Sequence, residues 1–93
     1  MREFEWNESK AELNWLQHKI RFTDARFVFD DPFQISEPFA ENNEQRWRTV
    51  GSIKNYATLL VISTIQEQND TEIIRLISAR KLSKGERKKY GYG

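Results

Sequence analysis

Several side chains in this chain are of types that bind phosphate groups or transfer protons. Arg46 and Arg48 alternate with apolar residues, Arg80 directly follows an apolar run, Glu44 opens the alternating segment, and His18 is the single histidine. A guanidinium group presents paired donors to phosphate oxygens. A carboxylate or an imidazole can take up and release a proton. Together these groups could bind an anion and carry out acid–base chemistry on it.

Most of the remaining positive charge follows the last apolar run. Between Arg80 and Lys89 there are six bases and a single acid, Glu86, whereas the segment from Asp30 to Glu44 has five acids and no base. The net charge is only +1, so the distribution of charge matters more than its sum. This layout predicts an anionic ligand at one place and a basic partner at another.

Each of these residues also has a plain structural interpretation. Arg80 could close a sheet edge at the surface, Arg46 and Arg48 could lie on a solvated face, and Glu44 could simply pair with Arg46. A single histidine beside an apolar stripe is often a hydrogen-bonded packing residue. The bases of the last segment could belong to a solvated terminal helix. The residues alone leave both interpretations open.

Composition limits the class of protein. A chain of 93 residues with 38% hydrophobic and 13% aromatic residues forms one core, so we expect a single domain over residues 1–93. The absence of cysteine excludes disulfides and thiolate metal sites, and one histidine argues against a zinc site. No apolar run has the length of a signal peptide or membrane span. We therefore expect a cytoplasmic protein without a metal or cofactor.

The first half of the chain predicts two helices behind a short strand. Residues 2–6 alternate as a strand does, and Asn7 is a good N-cap for a helix over residues 8–19. Within that helix Leu13, Leu16 and Ile20 have the spacing of a buried face, next to a polar stripe of Lys10, Asn14 and His18. Thr23 could cap a second helix over residues 24–29, in which Phe27 is expected in the core.

The second half predicts an antiparallel meander. Residues 30–43 contain two prolines and predict a loop that could contain a short extended piece. Strands are expected at 44–51, 56–65 and 72–79, with the second in the centre because it is apolar on both faces. On the last strand, alternation places Ile74, Leu76, Ser78 and Arg80 on one face. Ser83 and Glu86 form a capping-box pattern for a short C-terminal helix. The predicted class is α+β: about four antiparallel strands with two N-terminal helices and one C-terminal helix.

At this level of detail the chain resembles a known family, the BrnT toxins. The motifs that carry the resemblance cover nearly the whole chain: FEW at 4–6, VFDDP at 28–32, EQRW at 44–47, IIRLISAR at 73–80 and ER..Y at 86–90. Two positions depart from the family pattern around His18. Gln17 stands where the family usually has lysine, and Lys19 stands where it has glycine. Lys19 and Arg21 are the bases that could take over that lysine's role.

The resemblance implies a RelE-like fold and a toxin of a type II toxin–antitoxin module, which cleaves RNA without a metal and thereby arrests translation. It also implies a BrnA antitoxin as partner, with operator DNA contacted only through the antitoxin. Within this picture Glu44, Arg46, Arg80 and His18 are the candidate catalytic residues. We expect Arg46 and Arg80 to converge on one anion site beside the first helix. The candidate RNA-binding residues are Lys10, Arg48, Lys81, Lys84, Arg87, Lys88, Lys89 and Tyr90. The alternative is a non-catalytic protein- or RNA-binding module.

Overall fold

The computed structural model describes residues 1–54 and 58–92. The predicted turn residue at 55 and the first two residues of the predicted strand 56–65 lie outside these ranges. The elements, in chain order, are β1 (Arg2–Glu5), α1 (Glu8–His18), α2 (Phe22–Ala25), a 3-10 helix (Arg26–Asp30), β2 (Ile35–Glu41), β3 (Glu44–Ser52), β4 (Thr58–Gln68), β5 (Thr71–Lys81) and α3 (Lys84–Lys89). No helix of the described residues is long and apolar enough to cross a membrane.

The strands form one mixed five-stranded sheet in the order β1-β5-β4-β3-β2. Strands β2 to β5 pair antiparallel, as the meander predicts, while β1 pairs parallel to β5. The α+β class is therefore confirmed, and β4 is the central strand. The predicted count of four strands and the purely antiparallel arrangement are wrong, because β2 and the parallel pairing of β1 were not foreseen.

Strand β2 lies in the segment that the sequence predicted to be a loop. It pairs along its whole length with β3, and Pro38 lies opposite Trp47. A proline lacks the backbone N–H that a central strand would need, but β2 is an edge strand and requires hydrogen bonds on one side only. Because of the proline and the surrounding acids, the sequence pattern of this segment does not indicate a strand.

Helix α1 begins after Asn7, whose side chain accepts a hydrogen bond from the Lys10 backbone N–H as predicted. Its buried face is not the predicted one. Leu13 and Leu16 are 55% and 59% exposed, whereas Asn14 is only 4% exposed. The reason is that α1 lies beside the second half of β5, beyond the residues that β1 covers, where the strand edge offers free backbone polar groups. An amide side chain satisfies these groups and a leucine cannot.

Lys19 ends α1 in the left-handed conformation, with φ of 57° and its backbone N–H donating to the Trp15 carbonyl. Glycine adopts this conformation without steric cost and is the usual residue at such helix ends. The family's preference for glycine at this position thus has a backbone explanation. The Lys19 ammonium lies 5.4 Å from the Trp15 ring centroid.

The main core lies between one face of the sheet, called the core face here, and the first helices. It contains Ile20, Phe22, Ala25, Val28, Phe29, Ile53, Leu59, Val61, Ile74, Leu76 and Ala79. Two predictions for this region are wrong. Phe27 is 46% exposed, because the 3-10 helix turns it away from the sheet. Helix α2 begins after Arg21 without a side-chain cap, so Thr23 does not cap it.

A β-bulge in β5 changes which side chains share a face. Ser63 of β4 pairs with Leu76, whereas the preceding Ile62 pairs with Ser78, so Ile77 is an extra residue on β5. The insertion shifts the alternation by one residue. Leu76 and Ala79 therefore share the core face, and Arg80 points to the opposite face. The predicted grouping of Ile74 and Leu76 with Arg80 is wrong for this reason.

Gly51 is required by close packing between β3 and the 3-10 helix. A Cβ at this position would lie 2.9 Å from Val28 Cγ1 and 3.2 Å from the Val28 carbonyl oxygen. We expect Gly51→Ala to lower the free energy of unfolding by about 1–3 kcal/mol in urea denaturation, because backbone must move to make room. Gly85 in α3 is the control, because a Cβ there would meet nothing within 4 Å. Gly85→Ala should leave stability unchanged or raise it, and an equal loss in both variants would contradict the packing explanation.

Candidate functional site

The sheet face opposite the core carries four arginines and is called the arginine face here. Arg48 of β3 pairs with Ile62 of β4, and Arg80 of β5 pairs with Leu60 of β4. These two apolar residues belong to the hydrophobic cluster on that side of the sheet. Arg46 lies two residues before Arg48 on β3, and Arg75 lies before the bulge on β5. Alternation places both on the same face. Helix α3 covers one end of this face, where Tyr90 packs against the cluster of Val50, Leu60 and Leu82.

The end of the arginine face that lies away from α3 forms a cleft of about 610 Å³, called the basic cleft here. Its charged side chains come from three separate elements. Lys10 comes from α1, Glu44 and Arg46 from β3, and Arg75 from β5. Its other lining residues are Asn43, Gln45, Thr64, Ile65, Gln66 and Ile77. A phosphodiester group is small enough to enter this cleft, which is lined by the cationic side chains of Lys10, Arg46 and Arg75.

The charges of the basic cleft differ in their partners. The Arg46 guanidinium donates to the Glu41 carboxylate at 2.9 Å and to the Glu44 carboxylate at 3.2 Å. Lys10 and Arg75 are exposed, and within the described residues neither side chain forms a hydrogen bond or ion pair. Arg46 is thus positioned by two acids, while Lys10 and Arg75 remain available to an anion. The predicted pairing of Glu44 with Arg46 and the predicted proton-transfer role of Glu44 are compatible with this geometry.

Arg80 lies outside the basic cleft. Its guanidinium donates to both carboxylate oxygens of Glu86 in α3, at 2.6 and 2.8 Å. This bonding raises the pKa of Arg80 and lowers the pKa of Glu86 to about 2. The expected convergence of Arg46 and Arg80 on one site is wrong, because Arg80 lies level with Leu60 and Val50, four residues along β3 from Arg46. Arg75 takes the place in the cleft that the sequence assigned to Arg80.

The Arg80–Glu86 pair predicts a specific dependence of stability on pH. Since the pKa of Glu86 is about 2 in the folded protein against an ordinary 4.5, the pair contributes stability above pH 4.5 that is lost as the pH falls toward 2. We expect Glu86→Gln to show a smaller drop in Tm over this range than the wild type.

Glutamine is the appropriate replacement for Glu86 because it can preserve the capping box. The Glu86 side chain accepts from the Ser83 backbone N–H, and the Ser83 hydroxyl accepts from the Glu86 N–H. Glutamine can make the same contact, but it carries no charge for Arg80. Thermal melts of the two proteins at a series of pH values measure the difference. Parallel profiles would show that the ion pair does not contribute.

His18 also lies outside the basic cleft. It is exposed at the last residue of α1, two helical turns beyond Lys10 and therefore roughly 12 Å along the helix axis. In the described residues its ring forms no hydrogen bond. The structure thus brings Glu44 and Arg46 together with Lys10, but it does not bring His18 or Arg80 to them.

The remaining candidate RNA-binding bases lie in α3 and at the end of β5 that precedes it. Lys81, Lys84 and Lys88 are exposed, and Lys89 lies 5.4 Å from the Tyr90 ring centroid. Arg87 donates to the Tyr92 carbonyl. Lys19 and Arg21, the possible substitutes for the family lysine, lie instead on Trp15. The α3 bases therefore lie at the end of the sheet that is away from the basic cleft.

Arg75 is the cleft residue that the sequence did not identify. It lies inside an apolar run, which favours a structural role with an acidic partner. In the structure it is exposed and has no such partner among the described residues. A β-bulge directly after Leu76 keeps Arg75 and Arg80 on one face, and no residue type in the run marks that bulge. Within residues 1–54 and 58–92 there is no group of three or more His, Cys, Asp or Glu that could hold a metal ion.

Comparison with known proteins gives two findings. A family model described as "Ribonuclease toxin, BrnT, of type II toxin-antitoxin system" matches residues 6–86. The solved structure of the Brucella abortus ribonuclease toxin BrnT is similar with a TM-score of 0.59 and 21% sequence identity, over 90% of this chain and 99% of that chain. At this identity the structural match supports the fold alone. No curated protein matches the chain.

Proposed function

Because the chain belongs to the BrnT family of ribonuclease toxins of type II toxin–antitoxin systems, we propose that it cleaves RNA in the basic cleft without a metal ion. The observation that carries this proposal is the convergence of Lys10, Arg46 and Arg75 on a cleft that also contains the Glu44 carboxylate. Cations that are fixed by the fold stabilise the charge that develops on a phosphate in the transition state. The carboxylate supplies a proton acceptor.

The proposed reaction uses one group of the cleft for each step. Glu44 takes the proton of the RNA 2′-hydroxyl, and the 2′-oxygen then attacks the adjacent phosphorus. The bond from phosphorus to the 5′-oxygen breaks, leaving a 2′,3′-cyclic phosphate, and the Lys10 ammonium gives a proton to the departing oxygen. Arg75 holds the non-bridging oxygens throughout, together with the Nη2 group of Arg46, which among the described residues donates to no carboxylate. Arg46 also fixes Glu44 through its Nε donor, which orients the base toward the cleft.

The bases around α3 have a supporting role in this proposal. Lys81, Lys84, Arg87, Lys88 and Lys89 would contact phosphates farther along the strand, and Tyr90 would support this surface. Contacts of this kind contribute affinity without sequence preference and weaken with salt. Arg80 does not line the basic cleft and is held by Glu86, so we assign it to binding through its remaining donors and not to the reaction.

The protein partner is proposed to be a BrnA-like antitoxin. Membership of a type II family implies that an antitoxin binds the toxin. The acids of the segment from Asp30 to Glu44 suit a basic partner surface, and operator DNA would be contacted through the antitoxin only. An RNA substrate and an antitoxin would both be available in the cytoplasm, and we propose that the protein acts there.

The test is to incubate the purified protein with single-stranded RNA in the presence and absence of EDTA. The proposal is supported if cleavage continues in the presence of EDTA and yields RNA fragments that end in a 2′,3′-cyclic phosphate. Cleavage that EDTA abolishes would contradict metal independence. RNA that remains intact, together with a tight complex formed with the antitoxin, would instead favour a non-catalytic binding module.

A further inference from the structure

Arg48 is bonded differently from the other half-buried arginines of the arginine face. Arg46 and Arg80 direct their N–H groups to carboxylates, whereas within the described residues Arg48 forms no hydrogen bond or ion pair. Its guanidinium carbon instead lies 4.5 Å from the centroid of the Phe39 ring. This distance is typical of a cation–π contact. The ring thus covers one side of the guanidinium, and the other side faces away from Phe39.

The stacked pair of Phe39 and Arg48 adjoins the basic cleft. Phe39 pairs across the sheet with Arg46, and Arg48 lies two residues beyond Arg46 on the same face of β3. Two strand residues span roughly 7 Å. A phosphate held by Arg46 would therefore place the neighbouring nucleoside of the same strand beside Arg48.

We propose that Phe39 and Arg48 form a platform on which the nucleobase next to the scissile phosphate stacks. This inference rests on the proposed function, since it concerns the RNA that occupies the basic cleft. Single-stranded RNA is commonly bound by stacking its bases on aromatic rings or on the planes of arginine side chains. Since Arg48 bonds to no carboxylate among the described residues, it can accept a base without losing such a partner. Stacking tolerates every base, so the platform would position RNA without selecting a sequence.

A phosphate contact by Arg48 is the competing possibility, and the experiment separates the two. The affinity of the protein is measured by fluorescence anisotropy for two short single-stranded RNAs that cannot be cleaved because every 2′-hydroxyl is methylated. One RNA carries its bases, and the other has the same backbone with abasic residues. Binding to these probes does not depend on catalysis, so the result is independent of whether the protein cleaves RNA.

The decisive variant is Arg48→Lys, which keeps the charge and removes the plane. We expect it to bind the base-bearing RNA about 10-fold more weakly than wild type and the abasic RNA equally well. Phe39→Leu, which removes the supporting ring, should show the same pattern. Arg26→Lys is the matched control, because Arg26 stacks on Phe27 at 4.6 Å in the 3-10 helix on the other side of the sheet. This control should bind both RNAs as wild type does.

Three results would overturn the proposal. The first is wild-type protein that binds both RNAs with equal affinity. The second is an Arg48→Lys variant that loses affinity equally for both, which is the behaviour of a phosphate contact. The third is an Arg48→Lys variant that binds both as wild type does. Circular dichroism of each variant confirms that it is folded. If these data support the platform but the protein leaves ordinary RNA intact, only the nuclease proposal is contradicted.

Discussion

Replacing Arg75 by glutamine is expected to lower the rate of RNA cleavage by about 10²–10³-fold. Arg75 is exposed in the basic cleft, and in the described residues its charge has no carboxylate partner. In the proposed reaction Arg75 can therefore bind the phosphate without first breaking an ion pair with a carboxylate. The loss of one such fixed donor lowers the rate by a factor of this size. The measurement is single-turnover cleavage of a labelled RNA at saturating protein, with growth arrest on expression as a second readout.

The control for Arg75 is Arg26→Gln, which also removes an arginine but lies on the other side of the sheet. It should cleave at the wild-type rate. Since the Arg75 side chain forms no hydrogen bond or ion pair with the described residues, Arg75→Gln should keep the wild-type Tm. A variant that melts early would make Arg75 a structural residue. A stable variant with full activity would contradict the assignment of RNA cleavage to the basic cleft.

Replacing Asn14 by alanine is expected to lower the free energy of unfolding by about 3–5 kcal/mol. The Asn14 amide donates to the carbonyls of Ile20 and Ala79 and accepts from the Ala79 N–H, all at 2.9–3.0 Å. Alanine would leave these buried backbone groups unpaired, and each unpaired group costs about 1–3 kcal/mol. Urea denaturation followed by circular dichroism measures the loss.

Asn14→Asp tests whether hydrogen bonding is the cause. Aspartate keeps the acceptor for the Ala79 N–H but cannot donate to the two carbonyls, and it buries a charge. It should therefore also be destabilised. Gln17→Ala is the control, because Gln17 is exposed on the same helix. A loss of less than about 1 kcal/mol in Asn14→Ala would show that α1 is held by other contacts.

The sequence predicted those elements whose signals are local. Asn7 opens α1, the apolar run of β4 lies in the centre of the sheet, and Ser83 and Glu86 close a capping box as expected. In each case a few neighbouring residues determine the structure. The grouping of Glu44, Arg46 and Arg48 on one face of β3 also followed from simple alternation.

The failures involve partners distant in the sequence. The buried face of α1 was assigned to Leu13 and Leu16 because apolar spacing usually marks the core. The helix instead meets a strand edge, where Asn14 is the better match. The edge position of β2 tolerates Pro38, which a sequence pattern reads as a strand breaker. The bulge at Ile77 moves every later side chain of β5 to the opposite face from the one that simple alternation predicts, and this shift decides which arginines share a face.

The parallel pairing of β1 with β5 has a consequence for the synthesis of this toxin. Arg2 pairs with Glu72, so the first strand to leave the ribosome finds its neighbour only after most of the chain has been translated. Contacts between such distant segments form late in folding. Because Arg75 belongs to β5, the basic cleft cannot form before that strand has left the ribosome and paired with β4.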